Sequence, residues 1–358
     1  MNDMTSREII ATRRRVLGGG LGLAALATLG VARAASAPEA GAPRVRFLAR
    51  DEGADALART PGDTYYARMG LLEIRARLGS ALPGVSLADA RLAVRDADAA
   101  AVLPFNDEER VAIAGVIERM QPLLATRAPL YARTPWSFIQ LDDRAEGGMP
   151  HTRGAHIVLP RSAVGSYVKM HRETSAAGTL ASTPRGRSLL LHEQTHVLER
   201  ADPARFEPLF TQVFGFTRMT PAPANAWLSD HRCINPDGPD VEWAFALEQV
   251  GLRGWLMPDV TMPDKPVPRM PDDFEAVGLQ VEKTADGWRV MADNGVPRRV
   301  DLDKVDGYHA HFPFADEDFH PHEIAAVTLS HWILQDVPDL DKHPQMPAVA
   351  AWARKALA

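Results

Sequence analysis

The chain contains one cysteine, Cys233, in 358 residues. No internal disulfide can form, even in an oxidising compartment, and no thiolate cluster can hold a metal. Any metal ion must therefore be held by histidine and carboxylate side chains. Positive charge is also short: 40 lysines and arginines stand against 46 aspartates and glutamates, a formal net charge of −6. Such a chain lacks the basic face that a general nucleic-acid binder needs. Internal repeats are missing, which excludes solenoids and propellers. No regular β–α–β rhythm runs along the sequence, which speaks against a doubly wound parallel sheet. Beyond the N-terminal segment, no apolar run approaches the roughly 20 residues of a membrane span.

That N-terminal segment is distinctive. Thr12-Arg13-Arg14-Arg15 precedes a mildly apolar run from Val16 to Val31, and Ala32-Arg33-Ala34 then offers small residues two apart. Charge, apolar run and small-residue exit are the parts of an export signal; the alternative is an uncleaved anchor. The paired arginines resemble the twin-arginine class of bacterial signals. That resemblance implies export to the periplasm, or otherwise out of the cell, by the twin-arginine machinery, which carries folded proteins. No membrane span would remain after cleavage. Residues 1–34 hold Arg7, Arg13, Arg14, Arg15 and Arg33 against Asp3 and Glu8, so without them the −6 of the whole chain becomes −9. The remaining 324 residues suffice for a sizeable core in one large domain or two small ones.

Within them, His192-Glu193-Gln194-Thr195-His196 carries the chemistry. On a helix, residues four apart project from one face, so His192 and His196 can grip one zinc ion. Glu193 can then take a proton from a water polarised by the metal. Thr183-Pro184 fits the start of that helix, with proline at its first position. Leu190 and Val197 on one side and Leu191 and Leu198 on another predict a largely buried helix with a narrow polar slot at the histidines.

Elements around the motif can be sketched from periodicity. Residues 63–80 have helical spacing, and Asn106-Asp107-Glu108-Glu109 reads as a capping box opening a helix to about residue 126. Trp136 to Leu141 and Ala155 to Pro160 read as strands, with a loop through His151-Thr152-Arg153-Gly154 between them. Pro203 to Phe214 reads as a helix, Asn235-Pro236-Asp237-Gly238 as a turn, and Val241 to Leu247 as a strand. Leu279 to Met291 suggests a hairpin turning at Ala285-Asp286-Gly287, and Pro321 to Leu334 a last helix. The expectation is an α+β fold: a helical region over 35–128, then a metal-binding region over 129–358 whose active helix packs on a mixed sheet.

Leu191 to Leu198 resembles the active helix of the zincin metallopeptidases, and Ala155 to Pro160 is placed like the sheet edge that holds extended substrate in that fold. Glu199 stands where the metzincin branch carries glycine. The resemblance therefore points to the gluzincin branch, whose third ligand is a distant glutamate. Glu323, in His322-Glu323-Ile324-Ala325-Ala326, resembles the E-x-x-A pattern of that ligand. It shares a helical face with Val327, Ser330 and Leu334, where a lone buried carboxylate needs a partner. Alternatively Glu323 simply favours the positive end of its helix. Glu242 is the rival ligand; on a strand it would share a face with Ala244, Ala246 and Glu248, which reads as solvated. Glu199 reads as an acid behind the site or on the surface. Asn235-Pro236-Asp237 is a turn, or a support for a ligand histidine.

The resemblance implies a Zn2+-dependent hydrolase acting on a peptide or protein substrate: His192, His196 and Glu323 as ligands, Glu193 as general base. Tyr308, His309 and His311, in a histidine-rich stretch before Glu323, are candidate oxyanion donors, Tyr308 and His311 foremost; the alternative is a polar loop whose histidines are simply solvated. Two expectations compete: a non-catalytic periplasmic binding or assembly protein on the same fold, and an accidental motif whose histidines are buried and hydrogen-bonded in a chain that does something unrelated.

Overall fold

Trp136–Leu141 (β3) is buried on both faces, which sets the architecture. Trp136 and Phe138 point into the main core, and Ile139 and Leu141 into a smaller one with Leu48, Leu57 and Val158. A computed structural model describes residues 45–60, 64–177, 184–238, 242–249, 252–314 and 319–358. The export-signal expectation at 1–34 and the cap at Thr183 lie outside the described residues. The fold is mixed α and β. Among the described residues, no helix is long and apolar enough to cross a membrane.

The first sheet runs β1 (Val45–Phe47), β3, β5 (His156–Pro160), β4 (His151–Arg153), with β2 (Val102–Leu103) pairing β3. β1 and β5 are parallel to β3, whereas β2 pairs β3 and β4 pairs β5 antiparallel. β1 and β2 belong to the N-terminal region, so the sheet is shared across the boundary expected at residue 128. Two corrections follow for the site. His151–Arg153 is a strand, not a loop, and β5 lies inside the sheet. The edge is β4.

A helix α1 (Asp107–Arg127) opens with the capping box expected: Asn106 Oδ1 accepts from Glu109 N, and Glu109 returns a bond to Asn106 N. α1 packs with α2 (Arg161–Ala177) and with α3 (Pro184–Ala201), the helix of the histidine motif. Residues 63–80 do not form one helix. They break at Met69-Gly70 into Tyr65–Arg68 and Leu71–Leu78. A Cβ at Gly70 would sit 2.3 Å from the Ser229 carbonyl oxygen, so that close backbone approach needs glycine. The helix from Pro203 ends at Pro208 and continues as a wider turn, Leu209–Val213.

The second sheet is a meander of β6 (Phe216–Arg218), β7 (Trp243–Gln249), β8 (Leu252–Thr261), β9 (Glu275–Thr284) and β10 (Gly287–Val290). Thr284 pairs with Gly287 across the turn expected there. Trp243, Phe245 and Leu247 face the main core. Ala244, expected on a solvated face, is fully buried beneath Met219 and Leu228.

The helix α4 (Pro321–Leu334) has the bounds expected, but it is not the last: Met346–Ala356 forms a further helix. His320 caps it, Pro321 takes the first position, and Gln335 ends it in a left-handed conformation. α4 lies along α3. Ala325, Ala326 and Ser330 are buried, and Ser188 donates to Ser330 across the contact at 3.1 Å. Small side chains here let the two backbones approach.

Candidate metal centre

α3 is held by polar bonds as well as by leucines. Thr195 donates to the Leu191 carbonyl (2.8 Å) and receives the Tyr131 hydroxyl (2.7 Å), and Gln194 donates to the Pro135 carbonyl (3.2 Å). These bonds fix the rotation of the helix, and with it the direction of the histidines. The His192 and His196 rings lie 4.8 Å apart, nearly perpendicular at 78°.

α4 brings Glu323 between them. Its Oε2 is 3.0 Å from His192 Nε2 and 3.8 Å from His196 Nε2. One donor atom from each residue lies within 4.8 Å of the others, and all three side chains are buried. Ligands of a tetrahedral zinc at about 2.0 Å stand about 3.3 Å from one another. The observed separations bracket that value. His196 Nε2 is buried with no hydrogen-bond partner, an orphan that a cation would satisfy. The group fits a divalent metal ion, and imidazole–carboxylate donors suit several.

Charge points the same way. Glu193, Glu199, Asp237 and Glu323 are all buried around two imidazoles. Burial alone would lower the proton affinity of His196. Asp237, Glu323 and the hydrogen bond to Glu199 outweigh it and raise the pKa well above the usual range. His192 is raised against the same burial, chiefly by Glu323. A pocket that draws protons onto buried histidines favours a cation.

The turn at 235–238 does more than reverse the chain. Asn235 Nδ2 donates to Glu323 Oε1 at 2.9 Å, leaving Oε2 for the histidines. Asn235 thus holds the Glu323 carboxylate rather than a histidine. Asp237 is buried and accepts the Thr152 N–H at 2.7 Å. Thr152 Oγ1 lies 3.1 Å from both Oε2 and the main-chain oxygen of Glu193. Arg200 reaches the Pro236 carbonyl and, at 3.4 Å, that of Thr152. The outward peptide group of the edge strand is therefore capped by the protein's own Asp237 and Arg200.

Behind β4 stands a buried ionic network from the N-terminal helices. Arg77 pairs with Glu73 (2.6 Å) and Glu146, and Tyr65 donates to Glu146 (2.9 Å). The Arg153 guanidinium lies over the Tyr65 and Tyr66 rings at 4.3 and 4.6 Å. Glu73 also accepts the Ile234 N–H at 3.1 Å, tying the network to the turn.

Other expectations are corrected. Glu242 binds Arg232 (2.6 Å) and Arg68 at the start of β7. These arginines account for its burial, and it lies neither in solvent nor among the histidines. Tyr308 is fully buried, its ring against Phe245 (5.2 Å) and Phe312 (5.0 Å). His311 Nε2 faces the Phe214 carbonyl at 3.1 Å, and burial lowers its pKa. Their described contacts lie with an aromatic cluster against the second sheet rather than with the motif. Glu199 is buried behind His196. Asn235, Thr152 and Asp237 are the neighbours that sequence reasoning undervalued or missed. The signal for the turn was a polar Asn-Pro-Asp-Gly run, which normally means solvent.

Compared with known proteins, the chain matches no family model, no curated protein and no solved structure.

Proposed function

We propose that the chain is an exported, zincin-like zinc hydrolase, most simply a metallopeptidase, with His192, His196 and Glu323 as its ligands. The carrying observation is Glu323 Oε2 standing 3.0 Å from His192 Nε2 beside the unpartnered, buried Nε2 of His196. When bound, zinc supplies Lewis-acid polarisation of a water and a carbonyl. Glu193 accepts the water's proton and passes it to the leaving amine. Thr152 Oγ1, 3.1 Å from Glu193 Oε2, orients that carboxylate. Asn235 keeps Glu323 turned toward the histidines. Export through the twin-arginine route and a peptide or protein substrate complete the reading.

The test is metal analysis of the purified protein, followed by a peptide-library digest with and without chelator. About one zinc per chain and chelator-sensitive cleavage are expected. A chain without metal sinks the proposal.

One observation favours a second reading. His196 is 0% and Glu193 2% exposed, and the edge strand is capped. A binding or assembly protein with a structural metal would have such a closed centre. Bound zinc with no cleavage of any library peptide would select it.

A further inference from the structure

A second acid–histidine cluster lies behind His196, on the side away from Glu323. Glu199 Oε2 stands 3.1 Å from His196 Nδ1 and 2.7 Å from His322 Nδ1. His322 immediately precedes Glu323 on α4. Its ring packs on Phe210 (4.7 Å) and lies nearly parallel to His320 (5.1 Å, 23°). Glu199, His196 and His322 are buried.

His196, Glu199 and His322 are also close enough to hold a metal of their own. The shortest contact favours a hydrogen-bonded cluster instead. Two ligands of one tetrahedral zinc stand about 3.3 Å apart. The 2.7 Å between Glu199 and His322 is a charge-assisted hydrogen bond. One carboxylate oxygen accepting two imidazole N–H groups explains both contacts. A proton on His196 Nδ1 then leaves the lone pair on Nε2, the atom that faces Glu323.

We propose that Glu199 and His322 are a positioning pair that fixes the His196 tautomer and so sets the grip on the metal. This rests on the reading of His192, His196 and Glu323 as ligands. His322 holds the carboxylate in place from the far side. α4 therefore supplies the third ligand and, one residue earlier, the group that steadies the second ligand's partner.

The test uses zinc-loaded full-length protein, chelator competition for affinity and 15N-histidine NMR for the tautomer. Wild type should bind one zinc with the His196 proton on Nδ1. Glu199→Gln and His322→Leu should each weaken zinc binding about 10- to 100-fold. His322→Asn, whose side-chain N–H replaces the imidazole N–H, should recover most of that loss. Unchanged affinity in Glu199→Gln and His322→Leu overturns the positioning role alone. Two zinc ions in wild type and one in His322→Leu overturn it in favour of a second site. A His196 proton on Nε2 in wild type overturns it whatever the variants do. No zinc in wild type overturns the metal reading and this one together.

Discussion

Replacing Glu323 by glutamine should uncouple the protein from zinc while leaving its shape nearly intact. Glutamine has the same size, and its amide oxygen can keep the bond to Asn235 Nδ2 that Glu323 now accepts at 2.9 Å. What is lost is the negative charge beside His192 and His196. In wild type, zinc at a hundredfold its Kd stabilises the folded state by about 2.7 kcal/mol. For roughly 300 ordered residues the unfolding entropy is about 0.6 kcal/mol per degree, so Tm should rise by about 4 °C. Glu323→Gln should show about 1 °C or less at the same zinc concentration. Glu242→Gln is the control. It loosens the pair with Arg232 and lowers the metal-free Tm, but the zinc-dependent rise should persist. The assay is thermal unfolding with chelator and with graded zinc. An undiminished rise in Glu323→Gln, or its loss in Glu242→Gln, would refute the ligand assignment.

Other outcomes follow from the same geometry. Glu193→Gln should keep the zinc-dependent rise in Tm and lower peptide hydrolysis by about 10²- to 10⁴-fold; loss of the rise would make Glu193 a ligand. Gly238→Ala places a Cβ 2.7 Å from a His320 ring carbon and 2.9 Å from one of His322. It should destabilise the fold by about 1–3 kcal/mol and weaken zinc binding, as read by denaturant melts and chelator competition. For pH, burial would raise the Glu146 carboxyl, but Arg77, followed by His151 and Arg153, holds it at about 2 against an ordinary 4.5. A depressed folded-state pKa gives stability that is complete above about 4.5 and is lost as pH falls toward 2. Glu146→Gln should flatten that acid limb in urea melts between pH 5 and 2, and an unchanged slope would assign it to other carboxyls.

Much of the frame was legible because its signals are local. The Asn106–Glu109 capping box, the His320-Pro321 start and the alternation of Trp136 to Leu141 each lie within a few residues. The His192–His196 pair followed from helical spacing, and Glu323 from its resemblance to an E-x-x-A pattern on a helical face of small residues. What escaped was set by distant partners. β4 is three residues long and polar, and only its pairing with β5 makes it a strand. Asp237 looked like turn polarity because its partner, the Thr152 amide, is 85 residues away in sequence. Tyr308 and His311 were grouped with the site by their nearness to Glu323 in the chain. Phe214 and Phe245, from a different part of the fold, claim them instead.

The capped rim of the first sheet has a consequence for any visiting chain. A guest strand that sought to lengthen the sheet at Thr152 would first have to strip away Asp237 and Arg200. Asp237 is two residues from Asn235, and its own N–H leans on the Asn235 side chain at 3.0 Å. Prising open that border would thus slacken the hold on Glu323, so arrivals at the sheet margin and the steadiness of that carboxylate answer to one four-residue turn.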